Sequence, residues 1–197
     1  MDVITHTPRP QVRIAPSQVW NIPNALTTVR LGMAFVLFGC IALELWQTAL
    51  VLFIIAAFTD WLDGYLARKQ GLNTAFGRNF DPLVDKILVG GAFIFLLPVR
   101  GSMLTPWIVT LVIARELMVT GLRGYFEARA TKFGADMFGK VKMVLQCAAL
   151  IAILVALSWD TGRWIILQPA LIYAMVMATA LSGLQYVIKA IAILRHI

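Results

Sequence analysis

The sequence is poor in the residues that build most soluble metal and nucleophile sites. Two cysteines, Cys40 and Cys147, and two histidines, His6 and His196, are all that its 197 residues provide. Both cysteines fall within apolar runs, where they read as small core residues rather than as a disulfide or a metal clip. The histidines lie at the chain ends, which leaves no material for a Cys/His zinc site. Charge is scarce as well, at 14% of residues against 60% hydrophobic. A mean hydropathy of +0.81 does not belong to a soluble domain, in which only about half the residues are apolar. The start of the chain lacks the short apolar core of a cleavable leader, since residues 1–21 are polar, basic and contain proline. Internal repeats and low-complexity tracts are missing too.

What is present is a succession of apolar runs near 28–46, 49–68, 80–98, 105–124, 137–157 and 165–195. Each approaches the roughly 20 helical residues that cross a bilayer core about 30 Å thick. The pattern predicts an all-α polytopic membrane protein with six transmembrane helices in one domain, 22–197, preceded by a segment, 1–21, that is unstructured or lies on the membrane surface. The last helix is expected to start near Pro169, and Pro82 to sit in a first helical turn, where proline is tolerated. With the N-terminus inside, every one of the 17 Lys and Arg residues except Arg100 and Arg163 falls on the cytoplasmic side. That asymmetry predicts a multi-pass protein of the cytoplasmic (inner) membrane with both termini inside. Trp46, Trp107, Trp159 and Trp164 all fall at predicted outer ends, where amphipathic rings prefer the interface. The net charge of +7 is then explained by topology and by anionic lipid or phosphate-bearing substrates, not by nucleic acid.

Acidic residues inside this frame are costly. Asp60 and Asp63, three apart, close the second run, and Asp81 and Asp85, four apart, open the third. Each pair shares one helix face, and the short connection between them predicts antiparallel neighbours whose carboxylates converge. An acidic group at mid-membrane costs roughly 2.5–3.5 kcal/mol, and clustering adds like-charge repulsion. A compensating cation is required. Oxygen donors suit Mg²⁺ or Mn²⁺ better than zinc. The plainer alternative is pairing with Arg68, Arg78 and Lys86 at the interface, and a cation transporter could also use membrane aspartates as an ion path.

The carboxylates stand in a longer string: Asp60-Trp61-Leu62-Asp63-Gly64-Tyr65-Leu66-Ala67-Arg68, eight residues, then Gly77-Arg78-Asn79-Phe80-Asp81-Pro82-Leu83-Val84-Asp85. This resembles the signature of the CDP-alcohol phosphotransferase family, D-x-x-D-G-x-x-A-R, eight residues, G-x-x-x-D-x-x-x-D, at every fixed position. Physically, Gly64 leaves room for a flat group to approach the backbone, Ala67 keeps the same face clear one turn later, and Arg68 supplies a cation for a phosphate. The resemblance implies a six-helix homodimer that holds two divalent cations per active site at the cytoplasmic face and transfers the phosphatidyl group of CDP-diacylglycerol to an alcohol, releasing CMP. It implies Asp60, Asp63, Asp81 and Asp85 as metal ligands, Asp85 also as the base for the acceptor hydroxyl, and Gly64, Ala67, Arg68 and Gly77 as the CDP-lipid site. Asn24 and Thr28, at the start of the first span, are further candidates to face the nucleotide.

Three more strings, residues 21–30, Ala114-Arg115-Glu116-Leu117 with Gly121-Leu122-Arg123, and Gly139-Lys140-Val141-Lys142, resemble the branch whose acceptor is glycerol 3-phosphate. Inositol phosphate is the nearest rival. Independently, Arg115 deep in the fourth span and Arg123, Lys140 and Lys142 near cytoplasmic ends supply more cation than the lipid diphosphate demands. They are therefore candidates for an acceptor phosphate site. The sixth span carries no recognisable signature.

Overall fold

A computed structural model describes residues 22–70, 75–127, 137–159 and 164–195; the side chains of 22–26, 60–70, 75–81, 127, 137–138, 164–165 and 194 lie outside that description. Residues 1–21, and with them the expected surface segment, lie outside it too. The described chain is all helix: α1 (Ile22–Ala42), α2 (Trp46–Gln70), α3 (Ala75–Leu96), α4 (Pro106–Glu127), α5 (Met137–Ser158) and α6 (Trp164–Leu194). Helix is the element such apolar segments must adopt, because lipid offers no partner for backbone N–H and C=O groups.

Two proline expectations are corrected. Pro82 is the eighth residue of α3 and Pro169 the sixth of α6, both inside their helices. Each ring removes one i→i−4 hydrogen bond, so the helices begin a turn or more earlier than proline placement alone suggests. Packing against neighbouring helices outweighs the loss, as is common in membrane proteins. At 31 residues, α6 is about 46 Å long at 1.5 Å per residue, longer than the bilayer core.

The turn between α1 and α2 shows how tightly these helices reverse. The Leu45 amide donates to the Cys40 carbonyl at 2.8 Å and the Glu44 amide to Ile41 at 3.0 Å, the bond pair of a Schellman cap. Glu44 takes its left-handed position at φ 57°, where glycine is usual. Trp46 then opens α2, Trp107 lies in the first turn of α4, Trp159 follows α5 and Trp164 opens α6. All four occupy the same end of the bundle. At that end Gln168 of α6 donates through Nε2 to the carbonyls of Gly101 and Ser102, at 2.8 and 3.1 Å, tying α6 to the α3–α4 connection.

The core of this half is apolar, with Leu37, Phe53, Phe93, Leu96, Leu150 and Leu154 all buried. Because lipid tails are as apolar as leucine, close packing rather than water exclusion holds such helices together. Gly91 illustrates it: the Phe38 ring of α1 occupies the space its side chain would take, and Phe38 stacks on Phe95 with centroids 5.0 Å apart. This contact seats α1 directly on α3. Among the described residues α1 packs against both α2 and α3, and α2 and α3 do not touch each other; their inner ends, 60–81, lie where side chains are not described. Through the described part α1 and α5 each contact both helices, and the expected convergence of the carboxylates falls on residues whose side chains lie outside the description. The fifth helix contacts α2, α3 and α6, and α4 closes the bundle against α6 and α3.

The outer surface is as apolar as the core. Phe35, Trp107, Ile166, Leu117 and Tyr173 are among many large hydrophobic side chains left exposed, a surface suited to lipid rather than water. Among the described residues, Gly139–Ser158 and Ile166–Ile193 are long and apolar enough to cross a membrane, and Thr27–Ala42 and Trp46–Thr59 are shorter apolar stretches. The chain is a membrane protein.

Candidate active site

Charged side chains gather in the half of the bundle opposite the tryptophans. On α1 and α3, Arg30 is almost fully buried, and its Nη1 donates to Asp85 Oδ1 at 3.4 Å. Arg30 lies two turns into α1 and Asp85 three turns into α3, so both helices carry a charge well below the surface of the fold. An isolated buried charge is unfavourable, and the pair relieves both. Thr27, one turn before Arg30, is also buried, whereas Thr28 is exposed.

A second and larger cluster joins α4, α5 and α6. Arg115 sits in the middle of α4 with only 7% of its surface exposed, and Lys142, in the second turn of α5, with 5%. One carboxylate oxygen, Oε1 of Glu116, accepts from both cations: Arg115 Nη1 at 3.3 Å and Lys142 Nζ. The Arg115 guanidinium is further held by neutral groups of α6. Its Nη2 donates to Ser182 Oγ, and its Cζ lies 5.4 Å from the centre of the Tyr186 ring, a cation–π contact. Gly139 and Gly183 pack beside the same side chain, since a methyl group there would come within 3.9 and 3.4 Å of Arg115 atoms.

Lys86 of α3 links the two clusters. Its Nζ donates to Thr120 Oγ1 at 2.6 Å, and that hydroxyl donates in turn to the Glu116 carbonyl at 2.7 Å. Lys86 lies within electrostatic reach of Glu116, Arg123, Arg115 and Asp85. Among the described residues Arg30, Lys86, Arg115, Arg123 and Lys142 thus stand near two carboxylates, Asp85 and Glu116.

The structure brings together some of the residues singled out from sequence and leaves others apart. Arg115 and Lys142 meet through Glu116. Arg123 is partly buried, with its Nε lacking a hydrogen-bond partner among the described residues, whereas the Lys140 side chain is exposed. Asp60, Asp63, Gly64, Ala67 and Arg68 lie in the last third of α2, and Gly77 and Asp81 in the first two turns of α3. Their side chains, like that of Asn24, lie outside the described residues, and no group of three metal-ligating side chains occurs among those described. The donor set nevertheless suits a divalent cation, for four carboxylates offer hard oxygen ligands of the kind Mg²⁺ and Mn²⁺ take. Sequence reasoning missed Ser182 and Tyr186. They read as ordinary polar residues in an apolar helix, and the only hint was that a mid-membrane arginine needs partners somewhere.

The comparisons with known proteins agree with this geometry. Residues 20–194 match the family model described as CDP-alcohol phosphatidyltransferase. A Bacillus subtilis protein named CDP-diacylglycerol--glycerol-3-phosphate 3-phosphatidyltransferase is 35% identical over 187 residues, covering 87% of this chain and 95% of that protein. A Rickettsia felis protein of the same name is 37% identical over 148 residues, covering 72% and 78%. A chloroplastic/mitochondrial protein of Arabidopsis thaliana with that name, numbered 1, is 33% identical over 169 residues, covering 78% and 57%. With the match spanning nearly the whole chain, and with Asp85, Glu116 and the buried cations gathered in one half of a helical bundle, the protein belongs to the CDP-alcohol phosphatidyltransferase family.

Proposed function

We propose that the protein transfers the phosphatidyl group of CDP-diacylglycerol to glycerol 3-phosphate, giving phosphatidylglycerophosphate and CMP, at the cytoplasmic face of the membrane. The observation that carries the choice of acceptor is the buried Arg115–Glu116–Lys142 cluster. Its two cations answer to one carboxylate, a surplus that a phosphate on the acceptor would complete. The names of the relatives support the same reaction.

Asp60, Asp63, Asp81 and Asp85 would hold two divalent cations, Mg²⁺ or Mn²⁺, which when bound neutralise the diphosphate and the charge developing on the CMP leaving group. The chain's own residues do the rest. Gly64, Ala67, Arg68 and Gly77 form the CDP-lipid site, with Asn24 and Thr28 near the nucleotide. Arg115 and Lys142, with Arg123 and Lys140 nearer the aqueous side, bind the acceptor's phosphate. Asp85 takes the proton from the acceptor hydroxyl as its oxygen bonds to the phosphatidyl phosphorus and the bond to the CMP oxygen breaks. Arg30, paired with Asp85, fixes the direction of that carboxylate. Positioning of the two substrates supplies much of the acceleration.

All six helices span the bilayer in this reading, with both termini inside, as the distribution of Lys and Arg supports. The working unit is a homodimer. The deciding experiment supplies purified protein with CDP-diacylglycerol, Mg²⁺ or Mn²⁺, and either glycerol 3-phosphate or inositol phosphate. CMP release and formation of phosphatidylglycerophosphate are expected with the first acceptor only. Turnover confined to inositol phosphate would reassign the acceptor, and ion flux across liposomes without lipid turnover would favour a transporter.

A further inference from the structure

The cation pair assigned to the acceptor's phosphate is already occupied. We infer that the Glu116 carboxylate is a built-in stand-in for that phosphate, which neutralises Arg115 and Lys142 in the resting protein and sets the charge an incoming acceptor must carry to take its place. The inference rests on the acceptor site proposed above and adds the means by which that site selects.

Three features lead to it. One oxygen of Glu116 accepts from both cations, as one oxygen of a phosphate could. Glu116 is also the most exposed of the three, its side chain 17% accessible against 7% for Arg115 and 6% for Lys142. It is therefore the member of the trio that can leave its place with the least disturbance of the surrounding packing. Finally, the guanidinium does not depend on Glu116 for its position. Ser182 and the Tyr186 ring hold it by uncharged contacts, and its Nε is a buried donor with no acceptor among the described residues. When the carboxylate withdraws, Arg115 stays aimed and has a donor to spare.

Selection follows from charge. A carboxylate carries one negative charge, whereas a phosphate monoester carries about 1.5 to 2 at neutral pH. An unphosphorylated alcohol gains nothing by displacing Glu116 from two buried cations, because it would leave them without a counter-ion. A phosphorylated acceptor gains charge, and the shared cations, with Lys86 close by, reward it. The stand-in thus gives up affinity for every anion in exchange for discrimination against singly charged and neutral ones.

The test measures binding of inorganic phosphate to the full-length protein in lipid nanodiscs by calorimetry, without CDP-lipid and without turnover, for the native chain, Glu116→Gln and Glu116→Asp. Removing the competing charge should tighten phosphate binding about tenfold in Glu116→Gln. Glu116→Asp, which keeps the charge but draws it back by one methylene, should show a smaller gain of the same sign. The KM for CDP-diacylglycerol should not move in either. A residue that merely supports the fold would instead weaken phosphate binding and disturb both substrates. Phosphate binding in either folded variant that is no tighter than in the native chain overturns the inference, and should Glu116→Gln not fold, Glu116→Asp decides by the same sign. If the native protein proves to use another acceptor while the gain persists, the acceptor assignment fails and the stand-in survives. Turnover of glycerol 3-phosphate with no gain in either variant has the opposite meaning.

Discussion

The two charged clusters solve the same problem in different ways. On α1 and α3 one buried arginine meets one carboxylate, Arg30 with Asp85. Across α4, α5 and α6 two buried cations share one carboxylate, and the remaining contacts to Arg115 come from a hydroxyl and an aromatic ring. A one-to-one pair can orient a reacting group. An unbalanced one remains short of negative charge, which is the condition for binding an anion. On the function proposed above, the contrast would separate a side of the site that handles the acceptor's proton from a side that holds the acceptor's charge.

Perturbing the balanced side should have the largest effect. Asp85→Asn should lower turnover at least a thousandfold, at the upper end of what a general base contributes, while CDP-lipid binding stays measurable by filter binding. Turnover near normal would remove Asp85 as the base and dissolve the contrast. Stripping divalent cations with a chelator should abolish CMP release, and Mg²⁺ or Mn²⁺ added back should restore it. Persistent turnover in the chelated sample would show that the carboxylates work without metal.

On the unbalanced side, Arg115→Ala should raise the KM for glycerol 3-phosphate about tenfold or more, the loss expected for a charged hydrogen bond worth about 1.5–3 kcal/mol. The KM for CDP-diacylglycerol should move far less, and the reverse pattern in steady-state kinetics would assign Arg115 to the CDP-lipid instead. The remaining substitutions lie outside both clusters and serve as controls. Gly91→Ala forces a methyl group into the Phe38 ring and should cost about 1–3 kcal/mol of stability, read as a lower thermal midpoint in detergent. Glu44→Gly relieves a left-handed backbone and should shift that midpoint slightly upward, by less than about 1 kcal/mol.

Much of this was legible in the sequence because lipid restricts the choices. Six apolar runs became six helices within a few residues of their expected bounds, and the tryptophans marked one end. Helix starts near Pro82 and Pro169 were misplaced because proline's position is read from hydrogen bonding within one helix, and packing between helices outweighed it. That α1 contacts both α2 and α3, which do not meet through their described parts, was hidden for a related reason. Sequence separation suggests which helices follow one another but not where a glycine such as Gly91 admits a ring. Arg115 and Lys142 announced themselves as charges in apolar surroundings, and Arg115 stands beside Glu116 in the chain. Ser182 and Tyr186 could not, since a hydroxyl in a membrane helix is common and acquires meaning only when another helix brings it a charge.

The seating of the Phe38 ring over Gly91 reaches beyond packing. Phe38 lies eight residues from Arg30 along α1, and Gly91 six from Asp85 along α3, about 12 and 9 Å of helix. A ring lodged against a backbone resists sliding, so it locks the register of the two helices and with it the vertical alignment of the arginine and the aspartate below. Stretching or thinning of the surrounding bilayer would then tilt α1 and α3 as one lever, leaving the spacing between their charges unaltered.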